Sequence, residues 1–205
     1  MIITIDGYSI TGKSSVSSLL AQELGFIHMN SGLIFRAISY EILKNNINTN
    51  NFQEKIEEIA FLIKDFQVDF KEWDRNYPKL RTTKVTELGM QLSKYTFVRQ
   101  KVVELLKKGA QNQNVVVEGR DIGTVVFPNA DRKFFFIADI DTRVSHVQKE
   151  TQRLDIDNIR AEIEWRDKED ETREISPLRK ASDAIEIDTT NLTINEIVQL
   201  VKEYI

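Results

Sequence analysis

The sequence of 205 residues contains no cysteine. This absence excludes disulfide bonds and every Cys-based zinc or iron–sulfur site. Long apolar runs are absent as well, since no stretch approaches the ~18 apolar residues of a membrane-spanning helix. The N-terminus has no basic segment followed by a long apolar one, which a secretory signal would require. We therefore expect a cytoplasmic protein with no membrane partner.

The sequence also has fewer basic than acidic residues. The 28 Lys and Arg residues stand against 32 Asp and Glu residues, which gives a net charge of −4. A protein that coats nucleic acid needs a basic field, so no nucleic-acid partner is expected. A small basic pocket inside an acidic protein stays compatible with this balance. The length predicts a single domain over 1–205 with room for small inserted subdomains, and we expect a monomer.

Short apolar runs alternate with longer runs of helical periodicity. Strands are predicted for MIITID, FIHM, NVVVEG, RKFFFIA and AIEID, with QVDF as a further candidate. Helices are predicted for KSSVSSLLAQEL (ending at Gly25), SGLIFRAISYEILKNN, FQEKIEEIAFLIKDF, TTKVTELGMQLSKY, FVRQKVVELLKKGA, DIDTRVSHVQKETQRL, NIRAEIEWRDKEDETR and TINEIVQLVKEY (N-cap Thr193). KEWDRNYPK is typical of a loop. The alternation predicts an α/β fold whose central parallel sheet is covered by helices on both faces.

The first predicted strand is followed at once by the loop IDGYSITGKSS. Its spacing matches the phosphate-loop pattern G-x-x-x-x-G-K-[ST], and it lies between a strand and a helix as that mechanism requires. Backbone N–H groups and the helix N-terminus would bind the phosphates of ATP. Lys13 would reach the β- and γ-phosphates, and Ser14 would hold Mg²⁺. The predicted phosphate-binding residues are Gly7, Tyr8, Ser9, Ile10, Thr11, Gly12, Lys13, Ser14 and Ser15.

One loop position is unusual. Ile10 is β-branched and stands in a loop that favours small residues. We expect its backbone angle to be one that a β-branched residue tolerates.

Four further stretches carry a resemblance to a known family. NSGLIFRA, EGRDIGTVVFPNAD, WRDKEDETREISPL and ASDAIEIDTTNLTI together resemble the bacterial cytidylate kinases, which make CDP from CMP and ATP. The resemblance runs over nearly the whole chain and is strongest over 115–197. It implies a nucleoside monophosphate kinase of the P-loop class that uses ATP and Mg²⁺ and accepts CMP and dCMP. It also implies an acceptor-binding insert at about 31–110 and a lid at about 153–173.

The resemblance further implies roles for individual side chains. The residues implied in CMP binding are Ser31, Arg36, Arg99, Arg120, Asp121, Arg166 and Asp170. Those implied in catalysis are Lys13, Arg120, Arg166 and Arg173. Physical chemistry agrees with this set, because two anionic nucleotides can approach each other only where cations converge. Arginine suits two-pronged phosphate contacts, and a carboxylate such as Asp121 can accept from the cytosine amino group.

Each of these residues also has an ordinary structural interpretation. Arg36 and Arg99 stand on amphipathic helices, where a lone arginine is usually a solvated surface charge. WRDKEDETR is a dense charge run, and most such runs form solvated helix faces. Asp121 could simply cap a helix. His28 and His146 are given no catalytic role, because phosphoryl transfer needs little proton chemistry.

Several positions depart from the family pattern. They are Ile10 for Gly, Asn30 for Asp, Phe35 for Tyr, Met90 for Ser, His146-Val147 for paired arginines, and a short segment over 68–81. Two alternatives to a CMP kinase therefore stay open. One is a kinase of the same architecture with another acceptor, such as UMP, dCMP or a non-nucleotide alcohol. The other is a nucleotide-binding module that has lost catalysis and acts by ligand-driven lid closure.

Overall fold

Within the part of the chain that the structure describes, five strands form the sheet. A computed structural model describes residues 1–47, 52–70 and 77–205. The sheet has the order β2-β3-β1-β4-β5. Its strands are β1 (Ile2–Gly7), β2 (Ile27–Asn30), β3 (Val115–Glu118), β4 (Arg132–Ile137) and β5 (Ile185–Asp188). β1 pairs in parallel with β3 and β4, and β4 pairs in parallel with β5. This confirms the predicted α/β fold with a parallel sheet.

Helices connect the strands. Their bounds are α1 (Lys13–Leu24), α2 (Ser31–Lys44), α3 (Ile56–Lys64), α4 (Tyr77–Leu80), α5 (Thr83–Leu92), α6 (Thr96–Ala110), α7 (Ile140–Thr151), α8 (Ile156–Thr172) and α9 (Ile194–Lys202). A 3₁₀ turn (Phe52–Lys55) precedes α3, and a π-helical turn (Ile122–Val126) follows β3. α1 ends at Gly25 with φ 67°, as predicted. Thr193 caps α9 in a capping box with Glu196, which confirms the predicted N-cap.

Two local expectations have a different outcome. QVDF is not a strand, because 66–69 has no regular secondary structure and Phe70 is helical. Its four residues have no neighbouring strand to pair with in the sheet order, and a strand without a partner is not stable. The predicted loop KEWDRNYPK lies largely in 71–76, outside the described residues, and its last residues begin α4.

The two faces of β1 have different environments. Ile3 and Ile5 are fully buried in a core formed with α1 and α9, to which Val16, Leu20 and Val198 contribute. The alternate residues Thr4 and Asp6 point to the opposite face, as the period of a strand requires. There they lie beneath the π-helical turn, close to Gly123. One face of β1 therefore supplies the core, and the other supplies buried polar groups.

The chain divides into two compact units. The first comprises 1–28 and 113–205, and the second comprises 29–112. In the second unit, α2 packs against α5 and α6, and Ile34 and Ile38 of α2 and Leu92 of α5 are buried. Within the described residues, no helix has the length and apolar character needed to cross a bilayer.

Candidate active site

The loop between β1 and α1 requires glycine at two positions. Gly7 has φ 145°, and a Cβ atom there would lie 2.2 Å from the carbonyl oxygen of Phe136 in β4. Gly12 has φ 80° and immediately precedes α1. Both conformations are disfavoured for residues with a side chain. The two glycines therefore allow the loop to turn tightly against the sheet and to deliver the chain to the helix N-terminus, where an anion is stabilised.

The expectation for Ile10 is wrong. Its φ is 58°, in the left-handed region that a β-branched side chain disfavours. The side chain packs against an apolar cluster of Val144, Ile159 and Ile163, which belong to α7 and α8. This apolar contact offsets the backbone strain, which is on the order of 1–3 kcal/mol for such conformations.

Lys13 is buried within the loop, with 6% of its surface exposed. Its ammonium group donates to the Tyr8 carbonyl oxygen and, at 3.2 Å, to Thr11 Oγ1. Burial lowers the pKa of Lys13 well below its usual value, and the positive charge of Arg120 lowers it further. Arg166 acts in the same direction. A cation in such surroundings is stabilised by an incoming polyanion, so the loop is electrostatically suited to a phosphate chain.

Ser14 is the second residue of α1 and lies next to a buried carboxylate. Its hydroxyl donates to Glu118 Oε2 at 2.9 Å, and the other oxygen of Glu118 lies 3.1 Å from His28 Nε2. Hydroxyl and carboxylate oxygens are ligands that suit Mg²⁺, which usually takes one or two protein oxygens and completes its shell with phosphate and water. Among the described residues, no three Asp, Glu, His or Cys side chains form a metal-binding group. The Ser14 hydroxyl and the Glu118 carboxylate fit a Mg²⁺ ion that is bound together with a nucleotide.

Arginine and aspartate side chains form a network beside the loop. Arg120 Nε donates to Asp170 Oδ2 at 2.8 Å, and Arg173 donates to Asp170 Oδ1 at 3.1 Å. Arg173 also lies 3.6 Å from an oxygen of Asp121. Burial acts to raise the pKa of Asp170, but the charges of Arg120, Arg173 and Arg166 hold it below its usual value. The network fixes the arginine side chains, and their charges keep the Asp170 carboxylate ionised.

The structure thus brings together, in the first unit, the predicted loop residues and the predicted residues Arg120, Asp121, Arg166, Asp170 and Arg173. The other predicted residues, Ser31, Arg36 and Arg99, lie in the second unit. Arg99 is not a solvated surface charge there. It is 7% exposed, donates to the Ser93 carbonyl oxygen at 3.1 Å and lies over the Phe35 ring at 5.7 Å.

Two departures from the family pattern receive a structural account in the second unit. Asn30 caps α2, since its side-chain oxygen accepts from the Leu33 N–H at 2.9 Å. An Asp in that position would make the same contact, so the cap is preserved. Phe35 supplies the ring beneath the Arg99 guanidinium, and a phenyl ring serves this contact as well as a phenol does.

The comparisons with known proteins agree with this geometry. The family model described as "Cytidylate kinase" matches residues 3–205. The chain belongs to the cytidylate kinase family. A cytidylate kinase of Thermotoga neapolitana is 35% identical, and the match covers 96% of this chain and 93% of that protein. A cytidylate kinase of Lactobacillus johnsonii is 38% identical, with 100% of this chain and 94% of that protein covered.

A solved structure outside the family shares the fold of this cytidylate kinase family member. A shikimate kinase from Bacteroides thetaiotaomicron matches with a TM-score of 0.51 and 12% sequence identity. The match covers 100% of this chain and 97% of that chain. At this identity the likeness shows the fold alone.

Sequence reasoning missed four buried charged residues at the candidate site of this cytidylate kinase family member. They are Asp6, Glu118, Arg143 and Asp167. All four are buried and bonded to residues distant in sequence, so no local periodicity identifies them. Asp167 gave one signal, because it stands directly after Arg166 in WRDKEDETR. Glu118 gave another, because it ends a strand beside the phosphate loop.

Asp6 links the sheet of the kinase to the π-helical turn. Its two carboxylate oxygens accept from the N–H groups of Ile122, at 2.9 Å, and Gly123, at 2.7 Å. Burial raises the pKa of Asp6 from 3.8 to about 6, although these two hydrogen bonds act in the opposite direction. Asp6 thereby positions the segment that follows Arg120 and Asp121.

The raised pKa predicts how stability changes with pH. The folded chain holds the Asp6 proton up to about pH 6, whereas the unfolded chain releases it near 3.8. The contribution of this group is therefore complete below about pH 4 and is lost as the pH rises through 6. We expect the unfolding free energy of the wild type, relative to Asp6→Asn, to fall by about 2 kcal/mol between pH 4 and pH 7. Denaturant unfolding at several pH values measures it, and parallel pH curves for the two proteins would contradict it.

Proposed function

We propose that this member of the cytidylate kinase family transfers the γ-phosphoryl group of ATP to CMP, and also to dCMP, giving ADP and the diphosphate. Family membership supports an enzyme over a module without catalysis. The observation that carries the proposal is the convergence of Lys13, Arg120 and Arg166 beside the phosphate loop, where their charges act on one another. An anion that enters such a concentration of cations is strongly stabilised there.

The proposed mechanism consists of positioning and charge stabilisation. The loop from Gly7 to Gly12 binds the phosphates of ATP through its N–H groups and the N-terminus of α1. Lys13, Arg120 and Arg166 neutralise the charge that spreads over the transferring group. Ser14 and Glu118 would hold Mg²⁺, which supplies further neutralisation of the phosphate oxygens. In this mechanism no side chain has to form a covalent intermediate.

Recognition of the acceptor remains a proposal that rests on the resemblance. We assign the reading of the base to Asp121. The other contacts with CMP are assigned to Ser31, Arg36, Arg99, Arg120, Arg166 and Asp170. We assign the closing function to a lid at about 153–173, which includes Arg166, Asp170 and Arg173 in its last part. The insert at about 31–110, the monomeric state and the cytoplasmic location likewise stay predictions from the sequence.

A panel of acceptors tests the proposed function directly. ADP release is measured with ATP and, separately, CMP, dCMP, UMP, AMP and shikimate, each over a concentration range. We expect CMP to give the highest kcat/KM, with dCMP next. A clear preference for UMP or for a non-nucleotide alcohol would replace the proposed acceptor. No ADP release with any acceptor, from a protein that binds ATP, would favour a binding module.

The preference for CMP over UMP tests the role of Asp121. Cytosine offers an amino group where uracil offers a carbonyl oxygen, so uracil would leave the carboxylate of Asp121 without a donor. One base contact is worth about 1–3 kcal/mol, and Met90 is a poor hydrogen-bonding replacement for Ser. We therefore expect kcat/KM for CMP to exceed that for UMP by about 10-fold, the low end of this range.

The matched variants are Asp121→Asn and, as a control on an exposed surface, Asp157→Asn. An asparagine amide can donate to uracil, so Asp121→Asn should reduce the preference for CMP towards unity. The control should keep the wild-type ratio. Equal kcat/KM for CMP and UMP in the wild type would show that Asp121 does not read the base.

A further inference from the structure

Three consecutive residues of the phosphate loop contact helices α7 and α8. The Tyr8 hydroxyl donates to Glu171 Oε1 at 2.7 Å. Ser9 donates twice to Asp167 Oδ1, from its N–H at 3.0 Å and from its Oγ at 2.6 Å. Ile10 packs in the apolar cluster of α7 and α8. The loop is therefore attached to these helices by a surface phenol, a buried hydroxyl and an apolar side chain in succession.

Asp167 is the centre of this attachment. It is 7% exposed, and its second oxygen accepts from Arg143, which is 8% exposed. Arg143 also donates to the Ser9 carbonyl oxygen at 3.4 Å and lies over the Tyr8 ring at 5.8 Å. All three polar groups of Ser9, its N–H, hydroxyl and carbonyl, are thus bonded to this buried ion pair. A buried charge pair holds one geometry, because each partner left alone would be costly.

The same helix presents the site arginine. Arg166 is adjacent to Asp167 in α8, and Asp170 lies about one turn further on, where it binds Arg120. A helix is stiff over this length, so fixing Asp167 against the loop also fixes the backbone that carries Arg166. The contact between Ser9 and Asp167 consequently joins the phosphate loop to the turn of α8 that carries Arg166.

We propose that Asp167 is a positioning residue that locks Ser9 of the phosphate loop to α8, so that ordering of the loop by ATP also orders the helix turn that presents Arg166. Asp167 does not touch the nucleotide in this proposal and acts through Ser9 and Arg143. The strained Ile10 joins the same attachment from the apolar side, in keeping with its φ of 58°. The proposal rests on the proposed function only in taking ATP as the ligand of the loop.

The test uses hydrogen exchange with a non-hydrolysable ATP analogue, AMP-PNP, on the full-length protein. In the wild type, the analogue should slow exchange both in a peptide covering 8–12 and in one covering 156–172. In Asp167→Asn, which is isosteric but breaks the ion pair, we expect the loop peptide to be slowed and the helix peptide to lose most of its ligand-dependent change. Ser9→Ala removes only the hydroxyl contact and should give a smaller loss in the same direction. A purely structural role would instead raise exchange equally with and without the analogue.

The control is Glu164→Gln, which makes the same charge change on the exposed face of the same helix. It should keep the wild-type response. Kinetics give a second readout: we expect kcat to fall about 10-fold or more in Asp167→Asn, with KM for CMP within about twofold of the wild type. If circular dichroism shows that Asp167→Asn does not fold, the exchange response of Ser9→Ala tests the proposal instead. This variant keeps the ion pair between Arg143 and Asp167.

The proposal is overturned if the helix peptide of Asp167→Asn, or of Ser9→Ala where that variant decides, responds to AMP-PNP as the wild type does. This outcome is independent of the acceptor, because the exchange measurement needs no phosphoryl transfer. Coupled protection in a protein that does not phosphorylate CMP would therefore reject the proposed function alone. Phosphorylation of CMP without coupled protection would reject the positioning role alone.

Discussion

Replacing Lys13 by alanine is expected to lower kcat on the order of 10²-fold or more. Lys13 is the first helical residue after the loop and is buried against it, with its ammonium group bonded to Tyr8 and Thr11. Its charge lies where the phosphates of ATP are proposed to bind, and the transition state spreads negative charge over the transferring oxygens. An interaction that strengthens in the transition state affects kcat rather than KM alone.

Steady-state rates with ATP and CMP measure this effect. The control is Lys202→Ala. Lys202 is an exposed lysine near the C-terminus, and it forms an ion pair with Glu23. Its rate should stay within about twofold of the wild type, as for a surface substitution. Full activity in Lys13→Ala would exclude the loop from catalysis, whatever the loop's resemblance to phosphate-binding sequences.

The sequence predicts those parts of the fold that local patterns determine. Short apolar runs bounded by turns predict the five strands, and the end of α1 at Gly25 follows from the need for a left-handed residue. The phosphate loop is predictable for a similar reason. The spacing of its two glycines and the following Lys13 is the one that phosphate binding requires. The strand before the loop and the helix after it are also recognisable from the sequence.

Local sequence patterns do not predict contacts between segments that are far apart in the chain. Ser9 and Asp167 are 158 residues apart, and Asp6 and Ile122 are 116 apart. Each of these carboxylates is buried by the tertiary fold, and an Asp in a charge run is usually exposed. The prediction of a strand for QVDF was wrong for a related reason. Four residues with strand-like composition form a strand only when the fold places another strand beside them.

Ile10 shows how a local rule can be overruled. Its side chain would ordinarily favour another backbone angle, yet the apolar cluster on α7 and α8 holds it at φ 58°. Val147, which replaces an arginine of the family pattern, packs against the same cluster. Two departures that look unrelated in the sequence therefore share one apolar environment in the structure.

Replacing Arg166 by alanine is expected to reduce kcat on the order of 10²- to 10³-fold. Arg166 stands on α8 next to Asp167, and its charge acts on both Lys13 and Asp170. A cation held beside the loop stabilises the transferring group without any reorganisation at the moment of reaction. The loss should appear in both kcat and kcat/KM, because Arg166 stabilises the charge that spreads over the transferring oxygens in the transition state.

Two further variants show which property of Arg166 matters for kcat. One tests the planar shape of its guanidinium group, and the other tests whether any positive charge on α8 would have the same effect. Arg166→Lys keeps one positive charge but loses the planar fork that binds two phosphate oxygens, so it should recover only part of the rate. Arg160→Ala removes an arginine of the same helix whose partner, Asp141, is exposed, and it should leave kcat within about twofold. Single-turnover rates at saturating ATP and CMP decide between these expectations. If Arg166→Ala and Arg160→Ala lose the same small factor, the helix contributes only general positive charge, and stabilisation of the transferring group falls to Lys13 and Arg120.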